Sequence, residues 1–281
     1  MDLSSEIIHA LLPLFLTGTL GVSVAMVGLI DGMSEASASI TKTFSGYISD
    51  RIGRRKPLII LGYGLAALTK PLFALAQGAG LVLGARFADR ICKGLRGAPR
   101  DALVADVTPE AIRGRAFGLR QAMDTTGAFI GPLIAIGLML AFQDDIRSVF
   151  WIAAIPAFIS AMVAIIWIRE PSEHLRVGPS APIRLKQVGQ LGAGFWAVVA
   201  VGLVFTLARF SEAFLVLIAS KEGLPLALAP LVLVMMNAVY ALGAYPAGIL
   251  ADRVPERVLL RWGLFCLIAA DAVLALGSGL V

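Results

Sequence analysis

Charge is scarce in this sequence. Asp, Glu, Lys and Arg make up 15% of 281 residues, against about 25% in soluble domains. A water-soluble fold of this length could not cover its surface with so few polar groups, which argues against a soluble helical bundle. Cysteine is scarcer still. Cys92 and Cys266 stand alone inside apolar runs and offer neither a disulfide framework nor a metal spacing. The two histidines, His9 and His174, share no ligand pattern with their neighbours. No glycine loop that could cradle a phosphate is present, and no nucleophile–base set, so neither a cofactor nor an enzymatic reaction is implied. The opening residues, MDLSSE, are acidic, unlike the basic start of a signal peptide. The net charge of +5 is carried in short loops between apolar runs, which speaks for membrane topology and not for nucleic acid.

What the chain does have is apolar length. Hydrophobic residues reach 58%, in runs of ~20 residues, each long enough to cross a bilayer as a helix. The fold class is all-α, a polytopic helical membrane protein. Nine spans are expected, at 3–17, 22–46, 57–77, 79–104, 117–141, 149–168, 192–218, 226–247 and 258–280. Four of the connections hold two cations, Arg147 and Lys221. The other four hold twelve, including Arg51, Arg54, Arg55, Lys56, Arg113, Arg115 and Arg257. Cation-rich short loops stay in the cytoplasm, so the chain is expected in the cell membrane with its charged loops inside.

One of those loops has an echo. GYISDR begins at Gly46 and GILADR at Gly248, and upstream of each lies a Ser-Glu pair, Ser5-Glu6 and Ser211-Glu212. Such order across two halves is what repeat-built transporters show. Within the first copy Gly46 would let another helix approach closely. Asp50, at a helix C-terminus, is placed against the dipole and needs a cationic partner or a helix N-terminus from a neighbouring span. The full pattern, Gly46-x-x-x-Asp50-Arg51-x-Gly53-Arg54-Arg55, resembles the signature loop between the second and third spans of the major facilitator superfamily. The copy with Gly248, Asp252, Arg253 and Arg257 is looser, because Pro255 replaces the second glycine. The resemblance implies two six-span bundles that rock about a central site. It also implies a cytoplasmic latch, formed by the aspartate and arginines of these loops, that holds one state.

A second pattern, Gly118, Gly127 and Gly131-Pro132, is similar to the superfamily's antiporter motif, although its closing glycine pair is here Ala135-Ile136. The same glycines also make a plain small-residue packing face, with a kink at Pro132. Ionisable residues inside spans are costly and mark function. Asp31 and Glu35 lie one helical turn apart and either exchange protons or pair with arginines of the fourth span. That span carries Arg86, Arg90, Lys93 and Arg100 on one face, with Asp89 and Arg96 nearby. Arg90 or Arg86 fills the arginine slot that the superfamily links to proton transfer. Arg120 and Asp124 add a further pair in the fifth span. Arg209 and Glu212 are spaced to pair in the seventh, and Lys42 and Lys70 are expected to snorkel from span ends.

Together these readings imply a carrier of a small solute working by alternating access, with proton-coupled efflux by antiport as the expected direction. A symporter or uniporter of the same fold, or a non-transporting membrane sensor, are the alternatives. The expected partners are the bilayer, a small-molecule substrate and protons; oligomeric state is not legible. The expected domains are a six-span bundle over 1–168, a cytoplasmic linker over 169–190 and a partial second bundle over 191–281. Aligning Ser5-Glu6 with Ser211-Glu212 leaves half of the first span unaccounted for and three spans absent at the other end. The sequence therefore reads as a carrier truncated at both ends.

Overall fold

The computed structural model describes residues 1–109, 112–170, 192–208, 211–251 and 254–277. Its regular structure is helical throughout the described residues. Helix α1 (Asp2–Leu14) runs into a π-helical turn at Phe15–Thr19. Pro13 lies just upstream of this widened turn, and its carbonyl accepts a hydrogen bond from the Thr17 hydroxyl at 2.9 Å. Helix α2 (Val24–Ile52) starts at Ser23, whose hydroxyl accepts from the Met26 amide, and stops at Gly53 with φ +68°. That left-handed turn suits glycine. Helix α3 spans Lys56–Leu75, α4 Ala79–Val107 and α5 Arg113–Ala141. Helix α6 (Ile146–Trp167) is capped by the Asp145 carboxylate.

The seventh expected span is not one helix. Helix α7 (Ala193–Ala208) ends before a break, and α8 (Glu212–Lys221) begins afresh at Ser211, whose hydroxyl accepts from the Ala213 amide. A serine that can satisfy an orphan amide makes a new N-terminus favourable inside an apolar run. A single 3-10 turn at Leu226–Leu228 leads to α9 (Leu231–Ala251), and α10 covers Glu256–Gly277. Residues 171–191, which take in all but the first two residues of the linker expected over 169–190, and the positions of Arg209, Asp252 and Arg253 fall outside the described residues.

The chain forms two compact units. One comprises Met1–Ala181 with Ser211–Asn237, the other Pro182–Phe210 with Ala238–Val281. In the first, α4 packs against both α2 and α3, α3 against α6, and α1 against α5, α6 and α8. Its apolar centre holds Phe15, Phe73 and Phe150 in edge-to-face contact, with centroids 5.3 and 6.3 Å apart, and Ile7, Leu11 and Val149 pack around them. Where α2 crosses α4, a side chain on Gly94 would sit 2.8 Å from Thr41 Cβ, so only glycine permits that approach. The second unit is built from α7, the rest of α9 and α10 and exposes large apolar side chains such as Trp196 and Trp262.

Three helical stretches are long and apolar enough to cross a bilayer: Lys56–Leu75, Ala116–Ala141 and Ile146–Trp167. Two shorter apolar stretches, Ala193–Val204 and Leu226–Tyr240, accompany them. The chain is thus an all-α, multi-pass membrane protein. Helices α2 and α4 are longer, at 29 residues each, but the charged residues they carry take them below a purely apolar standard.

Candidate functional site

The signature loop turns at Gly53, and its cations are not equivalent. Arg51 and Arg54 are exposed, whereas Arg55 is 5% exposed. The Arg55 guanidinium donates to Ser49 Oγ at 2.8 Å, to Asp106 Oδ2 on α4 at 3.3 Å, and to Asp50. Burial alone would lower the Arg55 pKa, but the bonds to Asp50 and then to Asp106 outweigh it and hold the pKa above the ordinary guanidinium value. The partner that Asp50 needs therefore comes from its own loop and not, as expected, from a neighbouring span, because the tight turn at Gly53 brings Arg55 back over the end of α2. Arg55 is correspondingly a buried hub. Gly46 does meet another helix: a side chain there would lie 3.3 Å from Ala98 Cβ of α4. The N-terminus of α3 is covered by Glu170, whose carboxylate accepts from the Lys56 amide at 2.8 Å. Of the second copy, Gly248 falls within α9, Arg257 is exposed on α10, and Asp252 and Arg253 lie outside the described residues.

Deeper in the first unit, α2 and α4 exchange charges rung by rung. Arg86 reaches Asp31 at 3.2 Å and Arg90 reaches Glu35 at 3.0 Å. The one-turn spacing of the acids matches the 86/90 spacing of the arginines, so both pairs form at once. Asp31 also accepts a hydrogen bond from Ser211, ahead of α8. Arg86 is 1% and Arg90 6% exposed. Nearer the end of α4, Asp124 of α5 meets Arg120 at 3.1 Å and Arg100 at 3.6 Å, and Asp101 meets Arg120 at 3.2 Å and Lys42 at 3.4 Å. Arg96 lies over the Tyr63 ring at 4.9 Å and 3.9 Å from Asp2.

Lys70 corrects an expectation. It does not snorkel; it is 1% exposed, and its ammonium donates to Asp89 at 2.8 Å and to Ser5 of α1 at 2.9 Å. The C-terminal part of α3 is covered by α4 and α6, so the path to solvent that snorkelling requires is closed. On α1, Glu6 and His9 pair at 3.5 Å, a contact the sequence reading did not propose. Their i, i+3 spacing was the available signal. His9, Asp31 and Arg86 line a small cleft, with room for no more than about one water, together with apolar side chains of α1 and α2. Among the described residues no cluster of metal-ligating side chains occurs.

The glycines of α5 form a packing seam. A Cβ on Gly131 would lie 2.6 Å from Glu6 Cβ of α1, and one on Gly127 would lie 3.3 Å from the Leu3 amide. Gly118 faces open space, with nothing within 4 Å. Pro132 continues this helix without ending it, and Ala135, where the closing glycine pair would begin, is fully buried.

Comparison with known proteins places this geometry. The whole chain, residues 1–281, matches the Major Facilitator Superfamily. An uncharacterized MFS-type transporter, MJ1317 of Methanocaldococcus jannaschii, is 30% identical over 276 residues, covering 93% of this chain and 66% of the relative. The chain therefore spans a little under two thirds of that relative's length. Two solved structures share the fold. A D-xylose-proton symporter superposes with TM-score 0.69 at 14% identity, over 90% of this chain and 66% of that one. A bacterial homologue of the human lysosomal transporter Spinster, inward-facing and occupied, superposes with TM-score 0.66 at 20% identity, over 91% and 59%. The expectation of efflux by antiport is corrected here. A proton symporter carries the same fold, and of the α5 glycines that suggested exchange, Gly127 and Gly131 serve the contact with α1.

Proposed function

This chain belongs to the Major Facilitator Superfamily, a family that moves solutes and does not catalyse reactions, and from that premise we propose that it carries a small solute across the cell membrane by alternating access, together with protons in the same direction. The observation that carries the reading is the half-buried Asp31 of α2, held by the buried Arg86 of α4, with the exposed Glu35 one turn on held by Arg90. An acid in that position changes its arginine contact when it takes up a proton, and intramembrane acids of this kind mark proton and ion pathways. Asp124, held by Arg100 and Arg120, is the third candidate.

The nine-span plan belongs to the same proposal, with a bundle over 1–168, a linker over 169–190 and part of a second bundle from 191, charged loops facing the cytoplasm. So does a latch of Gly46, Asp50, Arg51, Gly53, Arg54 and Arg55 with its looser copy at Gly248, Asp252, Arg253 and Arg257. The Asp50–Arg55–Asp106 cluster supports the latch because it ties the loop rigidly to α4. The test is flux into proteoliposomes under an imposed inward proton gradient. Cotransport predicts accumulation that collapses with the gradient, and an Asp31→Asn variant that equilibrates solute but no longer accumulates it. Wild-type flux that ignores the gradient would overturn proton coupling.

A further inference from the structure

We propose that Asp2 of α1 and Asp124 of α5 bind one proton between them, and that losing it hands Asp2 to Arg96 of α4 and loosens the seam between α1 and α5. The inference rests on the cotransport reading and adds a second proton site, apart from Asp31.

The seam brings the two acids together. A Cβ on Gly127 would lie 3.5 Å from Asp2 Cβ, and one on Gly131 would lie 2.6 Å from Glu6 Cβ. Asp124 precedes Gly127 by one turn of α5, so it projects along the same face. Its carboxyl lies within hydrogen-bonding distance of the Asp2 carboxyl. Two ionised carboxylates are acceptors only, so this contact needs a proton. With one, a charge-assisted hydrogen bond joins the acids. Without it, two like charges face each other in a half-buried setting.

The surrounding groups make the arrangement informative. Helix α4 supplies Lys93, Arg96 and Arg100, α5 supplies Arg120, and the chain's amino group at Met1 stands beside Asp2. The Tyr63 ring of α3 lies under Arg96. Asp101 of α4 is held by Arg100, Arg120 and Lys42 of α2, and Glu6, one turn along α1, by His9. Helix α6 meets this end of α1 through the Ala153 carbonyl, which accepts from Ser4.

Two ionised carboxylates would turn to the idle donors here. Arg96 Nη1, Arg100 Nε and Arg120 Nε all lack a partner. Asp2 nonetheless stays 3.9 Å from Arg96 and meets Asp124 instead. Arg96 is 3% exposed, and a buried guanidinium with an idle N–H is costly. When the proton leaves, one O–H bond breaks and the proton passes to water. Asp2 then turns to Arg96, while Asp124 keeps Arg120 and Arg100 at 3.1 and 3.6 Å. Helix α1 also places His9 on the cleft beside Asp31, so the two proton sites act on one helix.

The test reads protonation directly, by infrared spectroscopy of the full chain purified in detergent between pH 5.5 and pH 8. Wild type should keep a protonated-carboxyl signal in this range. Asp2→Asn and Asp124→Asn should each remove it, because the amide donates a permanent hydrogen bond to the acid left behind, whose proton affinity falls by at least about tenfold. Asp31→Asn should leave the signal in place. Arg96→Gln keeps both acids but takes away the donor that receives Asp2, so the signal should persist to higher pH. No signal in wild type, a signal removed by only one of the two Asn variants, one removed by Asp31→Asn, or one unmoved by Arg96→Gln would each overturn the inference. Gradient-driven accumulation of solute without the shared signal would overturn it and leave cotransport standing; the shared signal with flux indifferent to the gradient would do the reverse.

Discussion

A single lysine shows how far burial can change the meaning of a residue. Lys70 and Asp89 form a pair that is 1% and 3% exposed. Removing one member of a buried pair leaves an uncompensated charge and costs about 3–5 kcal/mol, whereas replacing both with apolar groups of similar volume is often neutral or better. Lys70→Met should therefore lower the melting temperature of the purified protein sharply, and adding Asp89→Leu should restore most of the loss. If the double variant melts no higher than the single, the pair is not what sets the cost. The sequence concealed this contact. Lys70 stands near the end of an apolar run, where lysine commonly reaches for water, and nothing in the local pattern announces that α4 and α1 close over it. The Asp31 and Arg86 pairing was legible as one of two readings, because acids one turn apart on α2 face arginines four apart on α4. Arg55 was legible as a member of the signature loop but not as its buried hub, since the fold-back at Gly53 is a matter of backbone geometry.

The same contrast appears between elements. Gly118 and Gly131 belong to one sequence pattern, yet only Gly131 is enclosed, against Glu6 of α1. Gly118→Ala should be neutral or slightly stabilising, because alanine is favoured over glycine inside a helix by up to about 1 kcal/mol. Gly131→Ala should destabilise, since a Cβ 2.6 Å from Glu6 Cβ forces α1 away from α5. Equal melting temperatures for the two variants would remove the packing seam from consideration. At the start of α6 the cap makes a pH prediction. The Ser148 hydroxyl, with the Arg147 amide, holds the Asp145 carboxyl below the ordinary value. A carboxylate whose folded pKa is depressed stabilises the protein above the unfolded value near 3.8, and this contribution fades as pH falls through the lower, folded value. Asp145→Ala should thus cost about 1 kcal/mol of helix-cap stability near neutrality and progressively less in strong acid. A deficit that is the same at pH 7 and pH 3 would contradict the cap. Helix starts with a serine or aspartate cap are visible in sequence, but the break before Ser211 was not. A largely apolar run of span length reads as one span, with Arg209 and Glu212 as a pair inside it, until the serine is seen capping a new helix.

At the scale of the molecule, membrane class followed from composition alone, because a chain with 15% charged residues has too little polarity to face water on all sides. The span count was harder. The least apolar of the expected spans, α2 and α4, owe their charges to each other, so a hydropathy reading penalises the elements that hold the site together. What remains to be placed is the bilayer itself, and the loop charges make a definite prediction about it. Cation-rich short loops are retained on the cytoplasmic side, which puts the turn with Arg51 and Arg54 inside and the turn with Asp144 and Asp145 outside. Both turns are open to reagents, since Arg54, Asp144 and Asp145 are exposed. The chain carries two free cysteines, Cys92 buried and Cys266 exposed, and replacing both with serine gives a blank background. Single cysteines at Arg54 and at Asp144 are then probed in intact cells with a maleimide that cannot cross the membrane, and again after permeabilisation. The cysteine at Asp144 should label at once, and the one at Arg54 only when the membrane is opened. Immediate labelling at Arg54 would invert the topology, and with it the side from which a proton reaches Asp31.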